Sequence, residues 1–335
     1  MKRFDEQGFD TWISEATADN VFAMEDYHVS CGSITRAPDG QYCLVFSRWP
    51  EWAGFEGWLT HAEIAAAVSD HPAGPYTFDR VLLERGEPGW DCDVTHNPAV
   101  LEVEGTYYLY YVGTQGPEIS EAASDEAIVG EKRRVYRNNQ RIGIAMADHP
   151  LGPWQRFDEP ILDVTPGAWD AVMTSSPAIC RAQGRNILML YTGAAEGGAV
   201  KAGIARAERP IGPFAKIGML DIDGLDNGLA VEDACIWFQD ERFYALMKDD
   251  HGYVTKSEPG AFALLESEDG LSWQAADQPL ALRKELAWTA RGIQSVTCLA
   301  RPQIYLEEGK PLVLSCTVVE AEGTRAYTMQ IPLRT

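Results

Sequence analysis

The sequence has no apolar run near the roughly 18 residues that a membrane-spanning helix needs. Its first six residues, four of which are charged, lack the apolar core of a secretory signal. Basic residues are scarce, since 28 lysines and arginines stand against 50 aspartates and glutamates, a net charge of −22. Nucleic acids and anionic membranes attract basic patches, so this charge argues against both as partners.

Cysteine pairs with CxxC spacing are also missing, and the number of cysteines, seven, is odd. Most of them lie inside apolar runs, where a buried thiol behaves as a small hydrophobic side chain. We therefore predict that none forms a disulfide and that the protein is cytoplasmic. The oligomeric state is left open.

Long helical periodicity is absent as well, which argues against an α/β fold with helices between the strands. A different unit recurs five times along the chain: a strand, a polar turn and a second strand rich in aromatic and β-branched residues. The first strands of the five units contain, in chain order, Ile34, Val100, Ile179, Ile236 and Ile304.

Later in each unit comes a third strand, a Pro/Gly turn and a short outer strand that opens with an aromatic residue. Three copies of the turn are clear, and a fourth is degenerate: His71 to Tyr76, His149 to Trp154, Arg209 to Phe214, and Glu268 to Trp273. Five such units predict an all-β, five-bladed β-propeller with four-stranded antiparallel blades, spanning residues 1–335 as one domain. Its inner strands should start near residues 30, 96, 175, 232 and 300.

The last unit lacks an outer strand. Residues 8–12 resemble the degenerate fourth turn, so the N-terminal segment, residues 1–25, is the predicted source of this strand. We expect residues 8–14 to pair with residues 325–331 and close the ring.

These repeated motifs resemble the five-bladed glycoside hydrolases of families 43, 32 and 117. The resemblance implies three carboxylates at the inner ends of the blades: a base in the first, an aspartate that modulates a pKa in the third and an acid in the fourth. The fourth-blade acid corresponds to Glu232, whereas the first-blade position is Cys31 and the third-blade position is Ser176. Two of the three carboxylates are thus absent from their usual places, and replacements are sought nearby.

Residues just before each inner strand should share one axial funnel. The members of this set are Asp26, His28, Cys31, Asp91, Asp93, His96, Asn97, Asp170, Ser175, Ser176, Glu232, Asp233 and Arg301. Polar residues so concentrated beside apolar strands cost desolvation unless they line a wet or paired site. A structural polar plug is the alternative interpretation.

Within this funnel, Glu232 is the predicted acid, with a pKa that the neighbouring Asp233 raises. Because adjacent residues on a strand point to opposite faces, one of the two should face the axis while the other braces a loop. Asp93, Asp26 and Asp170 are the candidates for the base, and His96 is predicted to contact substrate or transfer a proton. Whether the reaction retains or inverts configuration stays open, because sequence gives no distance between carboxyls.

Substrate contacts are predicted at the funnel and its rim. A charged insertion, residues 118–137, should rim the mouth and end near Asn139 and Arg141. Trp169 and Trp90 are either stacking walls or core residues. The full set of predicted binding residues is Asn97, Asn139, Arg141, Trp169, Asp170, Ser176, Lys248, Asp249 and Arg301.

The predicted function is exo-acting hydrolysis of a glycosidic bond in an oligosaccharide. Alternatives are a lyase on a uronate-containing glycan, in which His96 or a tyrosine abstracts a proton and Arg141 or Arg301 neutralises the carboxylate; a phosphorylase; and a non-catalytic sugar-binding propeller. No cofactor or metal is predicted, although this fold can hold a divalent cation on its axis.

Overall fold

The repeated strand–turn–strand units fold into five antiparallel sheets arranged as the blades of a β-propeller, which confirms the predicted architecture. The computed structural model describes residues 8–86, 88–117, 126–182, 186–223, 225, 231–320 and 325–334. Contacts between innermost strands run from each blade to the next and from the fifth back to the first, so the ring is closed.

The strands follow the blade order along the chain. The first strand, β1 (Val21–Phe22), belongs to the last blade. Blade 1 contains β2 (Tyr27–Arg36), β3 (Tyr42–Pro50), β4 (Glu63–Ser69) and β5 (Thr77–Leu83). Blade 2 contains β6 (Val94–Val103), β7 (Thr106–Thr114), β8 (Arg141–Ala147) and β9 (Gln155–Arg156). Blade 3 contains β10 (Met173–Arg181), β11 (Ile187–Ala194), β12 (Lys201–Ala207) and β13 (Ala215–Met219). Blade 4 contains β14 (Asp221–Ile222), β15 (Val231–Gln239), β16 (Arg242–Asp249), β17 (Ala261–Ser267) and β18 (Ser272–Leu282). Blade 5 contains β19 (Glu285–Trp288), β20 (Gly292–Glu307), β21 (Lys310–Glu320) and β22 (Tyr327–Pro332), followed outwards by β1.

The N-terminal segment does supply the outer strand of blade 5, but in a different register from the one predicted. Val21 pairs with Met329, and Phe22 pairs with Thr328. Residues 9–12 form a 3₁₀ helix instead of a strand, and only Ile13 forms a bridge, to Leu333. The prediction that residues 8–14 pair with residues 325–331 is therefore wrong. Buried Phe9 and Trp12 fix the segment by hydrophobic packing between blades 4 and 5, which needs no ladder hydrogen bonds.

The Pro/Gly turns are structural, as their repetition indicates. In the first two copies, Nδ1 of His71 and of His149 accepts a hydrogen bond from a backbone N–H two residues later. In the same two copies, the aromatic residue that ends the turn donates back to the second residue of the motif, as Tyr76 Oη does to the Pro72 carbonyl at 2.9 Å. Local hydrogen bonds thus explain why His, Pro and an aromatic residue recur together.

One helix departs from the prediction that no helix longer than about three turns would lie between two inner strands. The structure has two α-helices in its described part, α1 (Trp58–His61) and α2 (Glu126–Asn138), and α2 has 13 residues. It lies in the insertion between β7 and β8, of which residues 118–125 fall outside the described residues. The five blades persist because α2 extends a loop and replaces no strand.

The core is divided into clusters that lie mainly between neighbouring blades, as radial packing requires. All seven cysteines are free, which confirms the prediction on disulfides. Within the described part of the chain, no helix has the length and apolar character needed to cross a membrane.

Candidate active site

Each innermost strand carries the same irregularity at the axial end of its blade. A β-bulge interrupts the ladder there, and the residue in the bulge has a left-handed backbone. The five residues and their φ angles are Cys31 (58°), Asn97 (53°), Ser176 (55°), Asp233 (53°) and Arg301 (52°). None is glycine, and left-handed non-glycine residues carry a strain that is concentrated at functional sites.

The bulges place two consecutive side chains of every blade on one cavity of about 430 Å³. The five pairs are Ser30 and Cys31, His96 and Asn97, Ser175 and Ser176, Glu232 and Asp233, and Ala300 and Arg301. The expectation that Glu232 and Asp233 point to opposite faces is therefore wrong, because simple alternation fails at a bulge. The volume is within the range of about 300–1,000 Å³ typical of small-molecule sites.

An aromatic wall comes from the segment between β3 and β4. Trp49, Phe55 and Trp58 line the cavity there, together with Glu56. The segment turns through two 3₁₀ helices and α1, and Trp49 Nε1 donates to the Gly54 carbonyl at 3.1 Å. The density of tryptophan in residues 49–58 was the available sequence signal for this wall, but the segment lies outside the repeated strand starts.

Glu232 combines burial with a negative environment. Burial raises the pKa of its carboxyl, and the charges of Asp233 and Asp250 raise it further against the opposing effect of Arg301 and Lys248. A carboxyl in this state holds its proton towards neutral pH, as a general acid must.

A polar network joins three blades across the axis. Arg301 Nε contacts Asp233 Oδ1 at 3.0 Å, and the Arg301 backbone N–H donates to Asp233 Oδ2 at 3.3 Å. With its amide oxygen turned towards Arg301, Asn97 accepts from both terminal nitrogens of the guanidinium at 3.0 and 2.9 Å, and its amide nitrogen lies 3.2 Å from His96 Nδ1. Asp233, Arg301 and Asn97 are thus held rigidly by one another.

His96 lies at the cavity, as predicted, but its environment keeps it neutral. Burial, and then the charge of Arg301, lowers the pKa of its imidazole to about 3. The ring packs 5.4 Å from Trp58, and buried Nε2 has no hydrogen-bond partner within the described chain. Neutral imidazole can accept or donate a hydrogen bond, but it is not a store of positive charge near pH 7.

We expect the His96 ring protons to keep constant NMR chemical shifts between about pH 5 and pH 8, because the imidazole stays neutral throughout this range. A His96 titration midpoint near 6.5, the ordinary value for histidine, would show that the buried environment does not control its charge.

Lys248 also lines the cavity, and its Nζ contacts Asp250 Oδ1 at 2.8 Å. Asp249, predicted as a substrate contact, is fully buried and does not line the cavity. Its carboxylate instead accepts backbone hydrogen bonds from Tyr253, Val254 and Thr255 at 2.8–3.0 Å. Its prediction as a binding residue is wrong because it organises a loop.

Two of the predicted bases lie away from the cavity. Asp93 accepts a hydrogen bond from the Gly116 backbone N–H at 2.7 Å, and Asp26 occupies a turn with a φ of 61°. Neither lines the cavity, because both precede the bulge by several residues and the chain has not yet reached the axis.

Substituting Asp93→Asn or Asp26→Asn should therefore change kcat by less than about twofold, because neither carboxylate faces the substrate space and proton transfer needs direct contact or one bridging water. Steady-state kinetics on any substrate of the wild-type protein measure this. A loss of about 100-fold or more in either variant would return that aspartate to the mechanism.

Asp170 and Trp169 form part of a structural bracket that is repeated in two blades. Asp170 Oδ2 accepts from Tyr191 Oη at 3.0 Å and contacts Lys216, while Trp169 packs over Gly193 and Gly203. Blade 2 repeats this arrangement with Asp91, Tyr111, Arg156, Trp90, Gly113 and Gly143. The repeated Trp-Asp dipeptide was a sequence signal for a structural role, since site residues differ from blade to blade. The predictions of Asp170 as base and of both residues as substrate contacts are wrong.

The rim prediction holds for the insertion but not for the residues chosen. Arg141 pairs with Asp163 at 2.6 Å and donates to three backbone carbonyls, and the Asn139 amide donates to the Gln115 carbonyl. The insertion reaches the cavity instead through Arg137 and Gln140. These two residues were missed because neither belongs to a repeat.

No group of three or more His, Cys, Asp or Glu side chains suited to a metal ion occurs in the part of the chain that the structure describes. The absence of a cofactor stays a prediction, as does an axial cation.

Known proteins share this architecture at low sequence identity. No protein-family model and no curated protein sequence matches the chain. A family 117 glycoside hydrolase of the marine bacterium Zobellia galactanivorans is 18% identical, with a TM-score of 0.63 over 95% of this chain and 88% of its own. The protein BT0996, in a complex with RGII, is 12% identical, with a TM-score of 0.69 and coverages of 99% and 94%.

A family 43 β-xylosidase/α-arabinofuranosidase from a compost metagenome, CoXyl43 in complex with xylotriose, is 14% identical, with a TM-score of 0.62 and coverages of 96% and 95%. The predicted likeness to families 43 and 117 is thus confirmed for the fold, and a likeness to family 32 stays a prediction. The chain has the five-bladed propeller fold found in these glycoside hydrolases.

Proposed function

We propose that this protein hydrolyses a glycosidic bond at the end of an oligosaccharide, with Glu232 as the general acid. The observation that supports this proposal is a half-buried glutamate with a raised pKa that lines a cavity with an aromatic wall. Protonated Glu232 donates to the departing glycosidic oxygen, and flat aromatic faces suit the apolar faces of sugar rings.

Asp233 also lines the cavity, and its charge supports the role of Glu232 as the acid. Its negative charge lies next to Glu232 and favours the protonated form of that carboxyl, while Arg301 compensates Asp233 itself. In the resembling families the aspartate that modulates the acid comes from blade 3, whereas here the adjacent residue of blade 4 takes over this effect.

Glu56 is our candidate for the second carboxylate. Three carboxylates line the cavity among the described residues, and Asp233 is already paired with Arg301. Glu56 enters from blade 1, and blades 1 and 4 are not neighbours in the ring. Glu56 and Glu232 therefore approach a bound sugar from different sides, as a base and an acid do in glycoside hydrolysis.

We propose exo-action because Phe55 and Glu56 of the β3–β4 segment and Arg137 at the end of α2 line the cavity, and loop residues around a cavity favour a chain end over the middle of a long chain. Neighbours of the same fold are described with xylotriose and with RGII, which supports a carbohydrate as the substrate class.

A panel of oligosaccharides tests this function by the rate at which terminal monosaccharide is released. Wild-type protein should release it from at least one member, and Glu56→Gln and Glu232→Gln should each lose most of that rate. An unsaturated product that absorbs in the near ultraviolet would instead identify a lyase, and dependence on phosphate would identify a phosphorylase. Binding of the panel without any turnover would favour a non-catalytic sugar-binding propeller.

A further inference from the structure

The cationic side chains that line the cavity differ in whether a carboxylate pairs with them. Lys248 is paired with Asp250, and Arg301 is paired with Asp233. Arg137 lines the same cavity, yet the single hydrogen bond of its guanidinium within the described chain goes to Asn138 Oδ1, and it makes no ion pair there. Among the residues that the structure describes, no carboxylate pairs with this half-buried cation, so its charge is available to a ligand in a protein of net charge −22.

Gln140 stands beside Arg137 and is also uncommitted. Its side chain lines the cavity and is only 2% exposed, but its amide makes no hydrogen bond within the described chain. Gln140 is not one of the fully buried polar groups left without a partner, so its amide keeps a small exposure towards the cavity that it lines. A ligand bound in the cavity would supply hydrogen-bond partners for the Gln140 amide.

Backbone hydrogen bonds and the packing of Tyr136 fix the position of the chain at Arg137 and Gln140. The Gln140 backbone N–H donates to the Arg137 carbonyl, and Thr174 at the start of β10 donates to the Gln140 carbonyl at 3.1 Å. Tyr136 packs in a buried cluster with Trp49 and Leu59. Arg137 and Gln140 therefore form a preorganised edge of the cavity, and a ligand that binds there loses little of the protein's conformational entropy.

Charge at the end of α2 does not oppose an anion there. The last carbonyls of a helix carry partial negative charge, but Arg141 donates to the carbonyls of Asn138 and Gln140 at 2.9 and 2.7 Å. Glu232 lies on blade 4, which is separated from the blade 2 insertion by blade 3, so its carboxyl belongs to a different side of the ring from Arg137.

We infer that Arg137 and Gln140 bind the carboxylate of an acidic sugar, so that the substrate of the proposed hydrolase carries a uronic acid in the cavity. A guanidinium presents parallel N–H donors that match the two oxygens of a planar carboxylate, and the Gln140 amide supplies a further donor. This inference rests on the proposed function in one respect, that the bound acidic sugar is called a substrate. Binding of the carboxylate itself does not depend on turnover.

The test measures binding by calorimetry to full-length Glu232→Gln protein, which removes the acid and prevents turnover. Methyl glucuronides and galacturonides, in both anomeric forms, are compared with the neutral methyl glucosides and galactosides. At least one uronide should bind about tenfold or more tightly than its neutral counterpart. If none does, the inference is wrong.

Adding Arg137→Gln to this protein should weaken uronide binding by about 10- to 100-fold and change neutral glycoside binding by less than about twofold. Arg137→Lys, which keeps the charge but loses the fork, should give an intermediate loss. The matched control is Arg134→Gln on the same helix, which is exposed and pairs with Glu196; it should change neither affinity. Equal weakening of both ligand classes by Arg137→Gln would overturn the inference.

Glucose 6-sulfate and galactose 6-sulfate carry a non-planar anion near the same position. Binding of these as tight as that of the uronides would overturn the assignment to a carboxylate. Hydrolysis assays separate the two proposals: Arg137-dependent uronide binding without hydrolysis of any glycoside by wild-type protein sinks the proposed function alone. Hydrolysis of neutral glycosides with no effect of Arg137→Gln sinks the inference alone.

Discussion

Glu232→Gln is expected to lower kcat by about 10²- to 10⁴-fold on an unactivated glycoside, the range that general acid catalysis contributes. Glutamine keeps the size and hydrogen-bonding groups of the side chain but has no transferable proton. The loss should be much smaller on a nitrophenyl glycoside, whose leaving group departs without protonation. Steady-state kinetics on the two substrates measure the difference.

The pH profile gives a second readout of the same residue. The donor must be protonated, so activity falls as pH rises through the pKa of Glu232. Because burial and the neighbouring acidic groups raise that pKa, wild-type activity should extend further towards neutral pH than an ordinary glutamic acid allows. This alkaline limb should appear with the unactivated glycoside, and the residual activity of Glu232→Gln on that substrate should lack it.

Glu268→Gln is the matched control, since Glu268 lies on the surface of the same blade and pairs with Arg242. It should leave both rates unchanged. Equal losses on the two substrates in Glu232→Gln would show that Glu232 binds substrate or acts as a base. No loss on either would remove it from the mechanism.

Arg301→Met is expected to lower the free energy of unfolding by about 3 kcal/mol, as removal of one partner from a buried ion pair does. Asp233 keeps its charge in that variant but loses the guanidinium at 3.0 Å, and the Asn97 amide loses its two donors. Denaturant unfolding measures the change. Activity should fall as well, because the same network orders the cavity wall.

Arg283→Met is the control, because Arg283 is about half exposed and its pair with Glu258 lies on the surface. Surface pairs contribute about 0–1 kcal/mol, so its effect should be small. The double variant Arg301→Met/Asp233→Asn should regain part of the stability, since it leaves no uncompensated carboxylate and Asn tolerates a left-handed backbone. Equal effects of Arg301→Met and Arg283→Met would contradict the structural role of the network.

Glycosidase propellers of known structure place this fold in context without assigning a substrate. The likeness at 12–18% identity concerns the path of the chain. The axial side chains differ from the pattern of the resembling families, since Cys31 and Ser176 occupy two positions where those families have carboxylates. The substrate therefore has to be found from this cavity and its own residues, Glu56 and Arg137 included.

The sequence by itself determined the blades, because each is built from local signals. Strand periodicity, polar turns and the Pro/Gly motif act over fewer than about ten residues; the strand–turn–strand unit recurs five times, and the Pro/Gly turn recurs four times, once in degenerate form. It also indicated the inner strand ends and the pair Glu232 and Asp233. His71 and His149 open two copies of the repeated turn, which indicates a structural role, since repeated positions serve the fold.

Only the tertiary structure decided which polar residues share the axis. The five bulges turn two adjacent side chains inward in each blade, and sequence alternation cannot show a bulge whose left-handed residue is not glycine. Asp93 was indistinguishable from an axial residue until the chain path placed it away from the cavity, whereas for Asp170 the repeated Trp-Asp dipeptide was a signal that the tertiary structure explains as a bracket. Glu56 and Arg137 came to the cavity from insertions whose positions depend on long-range packing against neighbouring blades, for which no local pattern exists.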